Sequence, residues 1–297
     1  MGTPGYAKSI LEKLIATQDI DVVAVYTQPD KSVGRKKIMT PPEVKVLAVK
    51  NNIKVYQPNR LRDDEIVSKL LTIKCDYIVV AAYGQILPTS ILNHAPCINL
   101  HASILPYYRG ASPIQQILLN GDKETGVTAM LMEEGLDTGD ILKISRIKVS
   151  DDEMVENLFI KLTEVASDLI IDVLTNFKLY TPVVQDNNIS THCRKITKAD
   201  GKVEFDDSIT LYNKYRAFTP WPGIYLENGL KLKKISLEDK ITINEAGKIL
   251  KIDLDSIVVG CLKGSIRIFY VQPQSKKEMD IISYINGKRL IVEDILL

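Results

Sequence analysis

Three side chains in this sequence have the types and spacing for acyl chemistry. Asn99 and His101 stand two apart in Cys97-Ile-Asn-Leu-His101, and Asp137 lies between two glycines in Gly135-Leu-Asp-Thr-Gly-Asp140. Residues two apart on a strand share a face, so the Asn99 amide and the His101 imidazole point one way while Ile98 and Leu100 point the other. An amide and a protonated imidazole can hold a developing oxyanion, and a carboxylate can orient or charge the imidazole. No serine or cysteine nucleophile is needed if the incoming group is an amine, because an α-amino group with a pKa of about 7.7–8.0 is partly neutral near pH 7. Taken alone, Asn99 and His101 read more simply as a hydrogen-bonded strand end. The neighbouring Ser103-Ile-Leu-Pro106 loop and the glycine-flanked Asp137 tip the balance toward a site.

The elements around these residues must place them. Asp76-Tyr-Ile-Val-Val-Ala-Ala-Tyr83 is a short apolar run rich in β-formers and reads as a buried strand. Gly84 ends it, a helical segment follows, and the Asn99 strand comes next. Ligands bind at the carboxyl ends of strands in open α/β sheets, which is where the pair falls. Strands alternating with helices from Val22 to Leu174 argue a mostly parallel, Rossmann-like sheet. Leu105, standing before a proline, is pushed into extended geometry. Ser112-Pro113 reads as a helix cap and first helical residue. From Ile224 onward the pattern changes to short strands separated by glycine turns, a small β-barrel. Trp221, the only tryptophan, defaults to core packing.

The segments quoted so far resemble the folate-dependent formyltransferases, with their N-x-H and S-L-L-P signatures. Further matching stretches are Met1-Gly-Thr-Pro4, Thr27-Gln-Pro-Asp30, Arg109-Gly-Ala-Ser-Pro-Ile-Gln115, Ala217-Phe-Thr-Pro-Trp-Pro222 and Gln272-Pro-Gln-Ser-Lys-Lys277, so the likeness covers nearly the whole chain. The resemblance implies a Rossmann-like formyl-transfer domain over residues 1–178, a linker over 179–193, and an OB-like β-barrel domain over 194–297. It implies Asn99, His101 and Asp137 as catalytic residues. It places folate on Ser103, Ile104, Leu105 and Pro106, with Tyr83, Gly84 and Ile86 lining the same site. The implied activity moves a formyl group from 10-formyltetrahydrofolate to the free amino group of initiator methionyl-tRNA, with no metal. The alternatives are a formyltransferase on a sugar-nucleotide amine, a formyltetrahydrofolate hydrolase, or a non-catalytic RNA-binding relative. Family members usually carry a short apolar strand ahead of the Gly-Thr-Pro turn; this sequence opens at the turn, so the first strand is expected to be missing.

Charge supports an RNA partner without demanding one. The net charge is only +1, but residues 194–297 hold 18 basic against 14 acidic side chains. Lys31, Arg35, Lys36 and Lys37 crowd the segment from Gln28 to Pro42, where Gly34 and the prolines predict a loop. In a generic protein that is a solvated charge run. By resemblance it is a tRNA-contacting insertion, joined by Lys276 and Lys277 in the second domain. Four scattered cysteines without a C-x-x-C pair read as reduced thiols in a cytoplasmic protein. With three histidines and no cysteine pair, a structural zinc site is not expected. No stretch has the apolar length of a membrane span, no signal peptide is evident, and the chain is expected to act as a monomer.

Overall fold

A computed structural model describes residues 1–34 and 36–296. The chain divides into two compact units, and each is treated by itself. The first comprises Met1–Pro113, Glu124–Val149 and Leu158–Cys193; the second comprises Ile114–Lys123, Ser150–Asn157 and the chain from Arg194 onward.

The first unit opens with helix α1 (Gly5–Ala16), which buries Tyr6, Ala7, Ile10, Leu11 and Leu14, the three-and-four spacing of one helical face. Strand β1 (Val25–Tyr26) follows, then a hairpin of β2 (Lys31–Val33) and β3 (Ile38–Thr40), helix α2 (Glu43–Lys50) and β4 (Val55–Tyr56), which pairs in parallel with β1. After α3 (Asp64–Leu71) come β5 (Ile78–Val80), α4 (Thr89–Leu92) and β6 (Cys97–His101), with β6 parallel to β5. After a two-residue strand β7 (Arg109–Gly110) the chain passes through helix α5 (Pro113–Asn120), which belongs to the second unit from Ile114, and then forms β8 (Glu124–Leu131), β9 (Ile141–Lys148) and the long helix α6 (Val155–Thr175), whose residues from Leu158 belong to the first unit. Strand β10 (His192–Cys193) returns to pair in parallel with β7.

The main sheet runs β5-β6-β8-β9, and only its first pair is parallel. The β8–β9 connection, residues 132–140, is too short for a crossover and must double back, so those two strands run antiparallel; β8 also runs antiparallel to β6. Tyr26, Leu61, Ile78, Val80, Tyr83, Ile91 and Cys97 form a buried cluster behind the parallel half. The pair β1–β4 stands apart from the main sheet. Between β1 and β5 lies a cavity of about 660 Å³ lined by Met1, Leu11, Val23, Val25, Ile78 and Leu174 among others. Hydrogen bonds stitch its two sides: Gly2 N donates to Tyr26 O at 3.0 Å, Ala81 N donates to Met1 O at 2.9 Å, and Gln28 Nε2 donates to Tyr83 O at 3.1 Å. The α-amino group of Met1 donates to Val79 O at 2.6 Å, and burial pushes its pKa down to about 6.

The structure corrects the loop expected over residues 28–42. Lys31↔Thr40, Ser32↔Met39 and Val33↔Ile38 pair in an antiparallel hairpin that turns at Gly34, whose φ is 72°. The prolines flank the ribbon rather than interrupt it, and Val33, Ile38 and Thr40 are β-formers.

In the second unit Asp207 caps helix α7 (Ser208–Phe218) by accepting Thr210 N at 2.8 Å. An antiparallel sheet follows, built from β11 (Ile224–Tyr225), β12 (Lys231–Asp239), β13 (Ile249–Ile252), β14 (Ile257–Gly260) and β15 (Ser265–Gln272), in the order β11-β12-β15-β14-β13, with β16 (Met279–Asp280) added to β15. Helix α8 (Ile281–Lys288) starts at an Asp280 cap and stops at Arg289, which adopts the left-handed conformation. Trp221 is 59% exposed, so it is not the core residue its type predicts. No helix among the described residues is long and apolar enough to cross a membrane.

Candidate active site

Strand β6 pairs on both edges: Val80↔Asn99 on one side, Asn99↔Met130 and His101↔Thr128 on the other. That double register fixes the direction of both polar side chains, while Ile98 and Leu100 go to the core at 0% and 3% exposure. Asp137 reaches the same place from the β8–β9 connection. Its Oδ1 accepts Asn99 Nδ2 at 3.3 Å, its Oδ2 accepts Gly110 N at 2.9 Å, and the same Oδ2 lies 3.6 Å from His101 Nδ1. His101 Nε2 is 2.8 Å from the Tyr108 carbonyl. A carbonyl only accepts, so Nε2 carries the hydrogen and Nδ1 is left facing the carboxylate.

The backbone around this trio is held in unusual shapes. Tyr108 and Asp137 take φ of 61° and 54°, and Gly110 takes 116°. Left-handed geometry costs a non-glycine residue about 1–3 kcal/mol and persists only where the surroundings over-determine it. Two glycines are sterically required. A Cβ on Gly139 would lie 1.9 Å from Leu131 O, and one on Gly110 would lie 2.3 Å from Cys193 O. Of the glycines that flag Asp137 in the sequence, Gly139 thus lets the loop pack tightly against β8, while Gly135 leaves room for the Thr138 side chain.

The residues expected to bind folate fall into two groups. Ser103, Leu105, Pro106 and Tyr83 are buried. Ser103 Oγ donates to Tyr107 O at 2.6 Å, and Leu105 N donates to Thr128 Oγ1 at 3.1 Å. Tyr83 turns its ring into the core, where burial pushes its phenol far up, and presents only its carbonyl, which accepts Gln28 Nε2 at 3.1 Å. Ile86 is 85% exposed, Gly84 is exposed with φ 76°, and Ile104 is half-buried. Thr138, next to Asp137, has a buried hydroxyl without a hydrogen-bond partner.

Of the expected tRNA contacts, Lys31, Lys36 and Lys37 are exposed on the β2–β3 hairpin, and Lys276 and Lys277 are exposed in the second unit. Arg35 lies outside the described residues. At the base of the hairpin Asp30 accepts from Lys45 Nζ at 2.8 Å and from Gln57 Nε2 at 2.7 Å. These hydrogen bonds, the Gln57 one foremost, hold its carboxyl below the usual carboxylate range.

Two further residues tie the site together. Thr128, fully buried, donates to Ser103 O at 2.7 Å and so pins the loop after His101 to β8. Gln185, 4% exposed, comes from the stretch read as a linker. Among the described residues no group of three or more His, Cys, Asp or Glu side chains is placed to hold a metal.

The amide, imidazole and carboxylate thus meet in one anchored cluster, and the chain belongs to the formyl transferase family: residues 1–174 match its N-terminal model and residues 195–289 its C-terminal domain model. The chain is 68% identical to the methionyl-tRNA formyltransferase of Sulfurimonas denitrificans, spanning 100% of this chain and 98% of the relative. It is 53% identical to that of Nitratiruptor sp., over 99% and 97%. A solved sugar 3N-formyl transferase, WlaRD, determined with dTDP and 5-N-formyl-THF, shares the fold at a TM-score of 0.67 and 18% identity, over 93% of this chain and 97% of that one.

Proposed function

We infer that this chain formylates the α-amino group of initiator methionyl-tRNA, using 10-formyltetrahydrofolate as donor, as a monomer in the cytoplasm. The observation that carries the substrate is the 68% identity running through both units to a methionyl-tRNA formyltransferase. The donor fits the residues present. Exposed Ile86 and open Gly84 offer an apolar edge to a planar ring, and the orphaned Thr138 hydroxyl awaits a polar partner beside Asp137. Tyr83, Gly84, Ile86 and the Ser103–Pro106 loop would hold the folate. The folate supplies the formyl carbon.

The chain's own residues supply orientation, charge and a proton acceptor. Asn99 gives one N–H to Asp137 and has a second for the formyl oxygen, where negative charge develops as the amine nitrogen bonds to the carbon. The Tyr108 carbonyl holds the hydrogen of His101 on Nε2, leaving the Nδ1 lone pair to take the proton released by the amine. Asp137, 3.6 Å from that nitrogen, stabilises the charged ring. His101 is therefore assigned the proton, which it would hand to the folate nitrogen as the bond from that nitrogen to the formyl carbon breaks, and Asn99 is assigned the oxyanion. The hairpin lysines Lys31, Lys36 and Lys37, with Arg35, Lys276 and Lys277, would meet the tRNA backbone.

The test is a formylation assay with purified initiator methionyl-tRNA beside parallel reactions offering a sugar-nucleotide amine or water as acceptor. Formyl-methionyl-tRNA as the dominant product supports the reading. Faster transfer to the sugar amine or to water rejects it, and tight tRNA binding without transfer would mark a silent RNA-binding protein.

A further inference from the structure

Asp137 sits in a left-handed backbone conformation that it does not favour, so something must hold the loop in place. The grip on its backbone comes from 48 residues downstream. Gln185 Nε2 donates to the carbonyl of Asp137 at 2.9 Å and to that of Gly139 at 2.7 Å. Gln185 Oε1 accepts from Arg109 Nε at 3.1 Å and from the terminal nitrogen Nη2 at 2.8 Å. Carbonyls only accept and a guanidinium only donates, so the amide has a single satisfactory orientation, with both hydrogens and both lone pairs engaged. Gln185 and Arg109 are 4% and 3% exposed, so water cannot substitute for these bonds. Arg109 is in turn followed by Gly110, whose N–H binds the Asp137 carboxylate. The loop is clasped at both ends, by its backbone carbonyls and by its side chain.

We propose that Gln185 is a positioning residue for formyl transfer: its amide clamps the 137–139 backbone and so keeps the Asp137 carboxylate against Asn99 and His101. This rests on the role given to Asp137 above. Gln185 touches neither substrate in this scheme, so its loss falls on turnover rather than on binding.

Gln185→Glu tests the clamp alone. The acid is nearly isosteric and still accepts from Arg109, but it replaces two N–H donors with an oxygen facing two carbonyls. Gln185→Met is the second variant, keeping volume and removing all four bonds. The parent chain is assayed first for formyl-methionyl-tRNA; no product there defeats the functional reading and this inference with it. With an active parent, displacement of Asp137 by about 1 Å is expected to lower kcat about ten- to a hundredfold per folded molecule, with KM for tRNA and for folate within about twofold. In an Asp137→Asn background the Gln185 variants should add no further loss. Three outcomes overturn the inference with the function intact: kcat within twofold of the parent in a folded variant, losses that multiply fully with Asp137→Asn, or activity loss that merely tracks a lowered melting temperature.

Discussion

The cluster at His101 and the β2–β3 hairpin are built on opposite plans within one unit. His101 is 6% exposed and lies between a carbonyl and a carboxylate; that carboxylate is itself bonded to Asn99 and to Gly110. The hairpin is exposed along both strands, with Val33, Ile38 and Met39 at 56–62% exposure and no acidic partner for Lys31, Lys36 or Lys37 among the described residues. Bond-making needs atoms fixed to fractions of an ångström, and only redundant anchoring supplies that. Grasping a polyanion needs charge that is free to meet phosphates, and internal ion pairs would neutralise it. The difference predicts that damage to the first region lowers turnover, and damage to the second lowers affinity.

The sharpest break would come from the cluster itself. Asn99→Ala, His101→Ala and Asp137→Ala are each expected to fold and to lose about 10²–10³-fold in kcat, the magnitude of losing one oxyanion donor. Single-turnover rates at saturating tRNA check this, and a variant retaining a third of the parent rate leaves the mechanism. Next, Lys36→Ala with Lys37→Ala should raise KM for tRNA about tenfold and flatten the salt dependence by about two contacts, leaving kcat and the folate KM nearly unchanged. A fall in kcat instead would erase the division of labour between the two regions. Gly139→Ala forces a Cβ to within 1.9 Å of Leu131 O, so the loop must shift; a loss of about 1–3 kcal/mol in stability by denaturant titration, together with reduced turnover, is expected.

The smallest effect concerns the base of the hairpin. Asp30 is held below its ordinary pKa of 3.8, so whatever it contributes is present above that value and lost as pH falls through its folded one. The Gln57 side-chain amide protons, followed by NMR, should therefore shift with a midpoint below 3.8. A midpoint at or above it would mean the base is not pinned as described. At neutral pH, Asp30→Asn should alter the tRNA KM by no more than about twofold, as expected for a half-buried pair still reached by solvent.

Legibility followed the range of the interaction. Asn99 and His101 could be paired from the sequence because a strand repeats every two residues, and Asp137 could be flagged because tight packing demanded glycine beside it. The alternation of strands and helices likewise announced the first unit, and the glycine-spaced short strands announced the second. The Gln185 clamp was invisible, since an isolated glutamine in a polar stretch carries no periodicity and its partners lie far away in the chain. The hairpin at 31–40 was hidden because proline and glycine mark turns without saying whether strands lie between them. The antiparallel β8–β9 pair depends on a connection length that only becomes decisive once both strand ends are known. Strand β13 is short and flanked by charged residues, so its burial pattern had no period to betray it.

The space beside Val23 and Ile78 carries a consequence for how the molecule gives way. Two short ribbons joined through Met1, Gly2 and the Gln28 bond to Tyr83, with no strand pairing between β1 and β5, can part without breaking a ladder, whereas β8 and β9 must surrender eight-residue strands. Warming should therefore loosen α1, β1 and β4 as a block before the rest. A dye that glows on oily surfaces would brighten at that earlier step, while the far-ultraviolet signal of the remaining sheet still held.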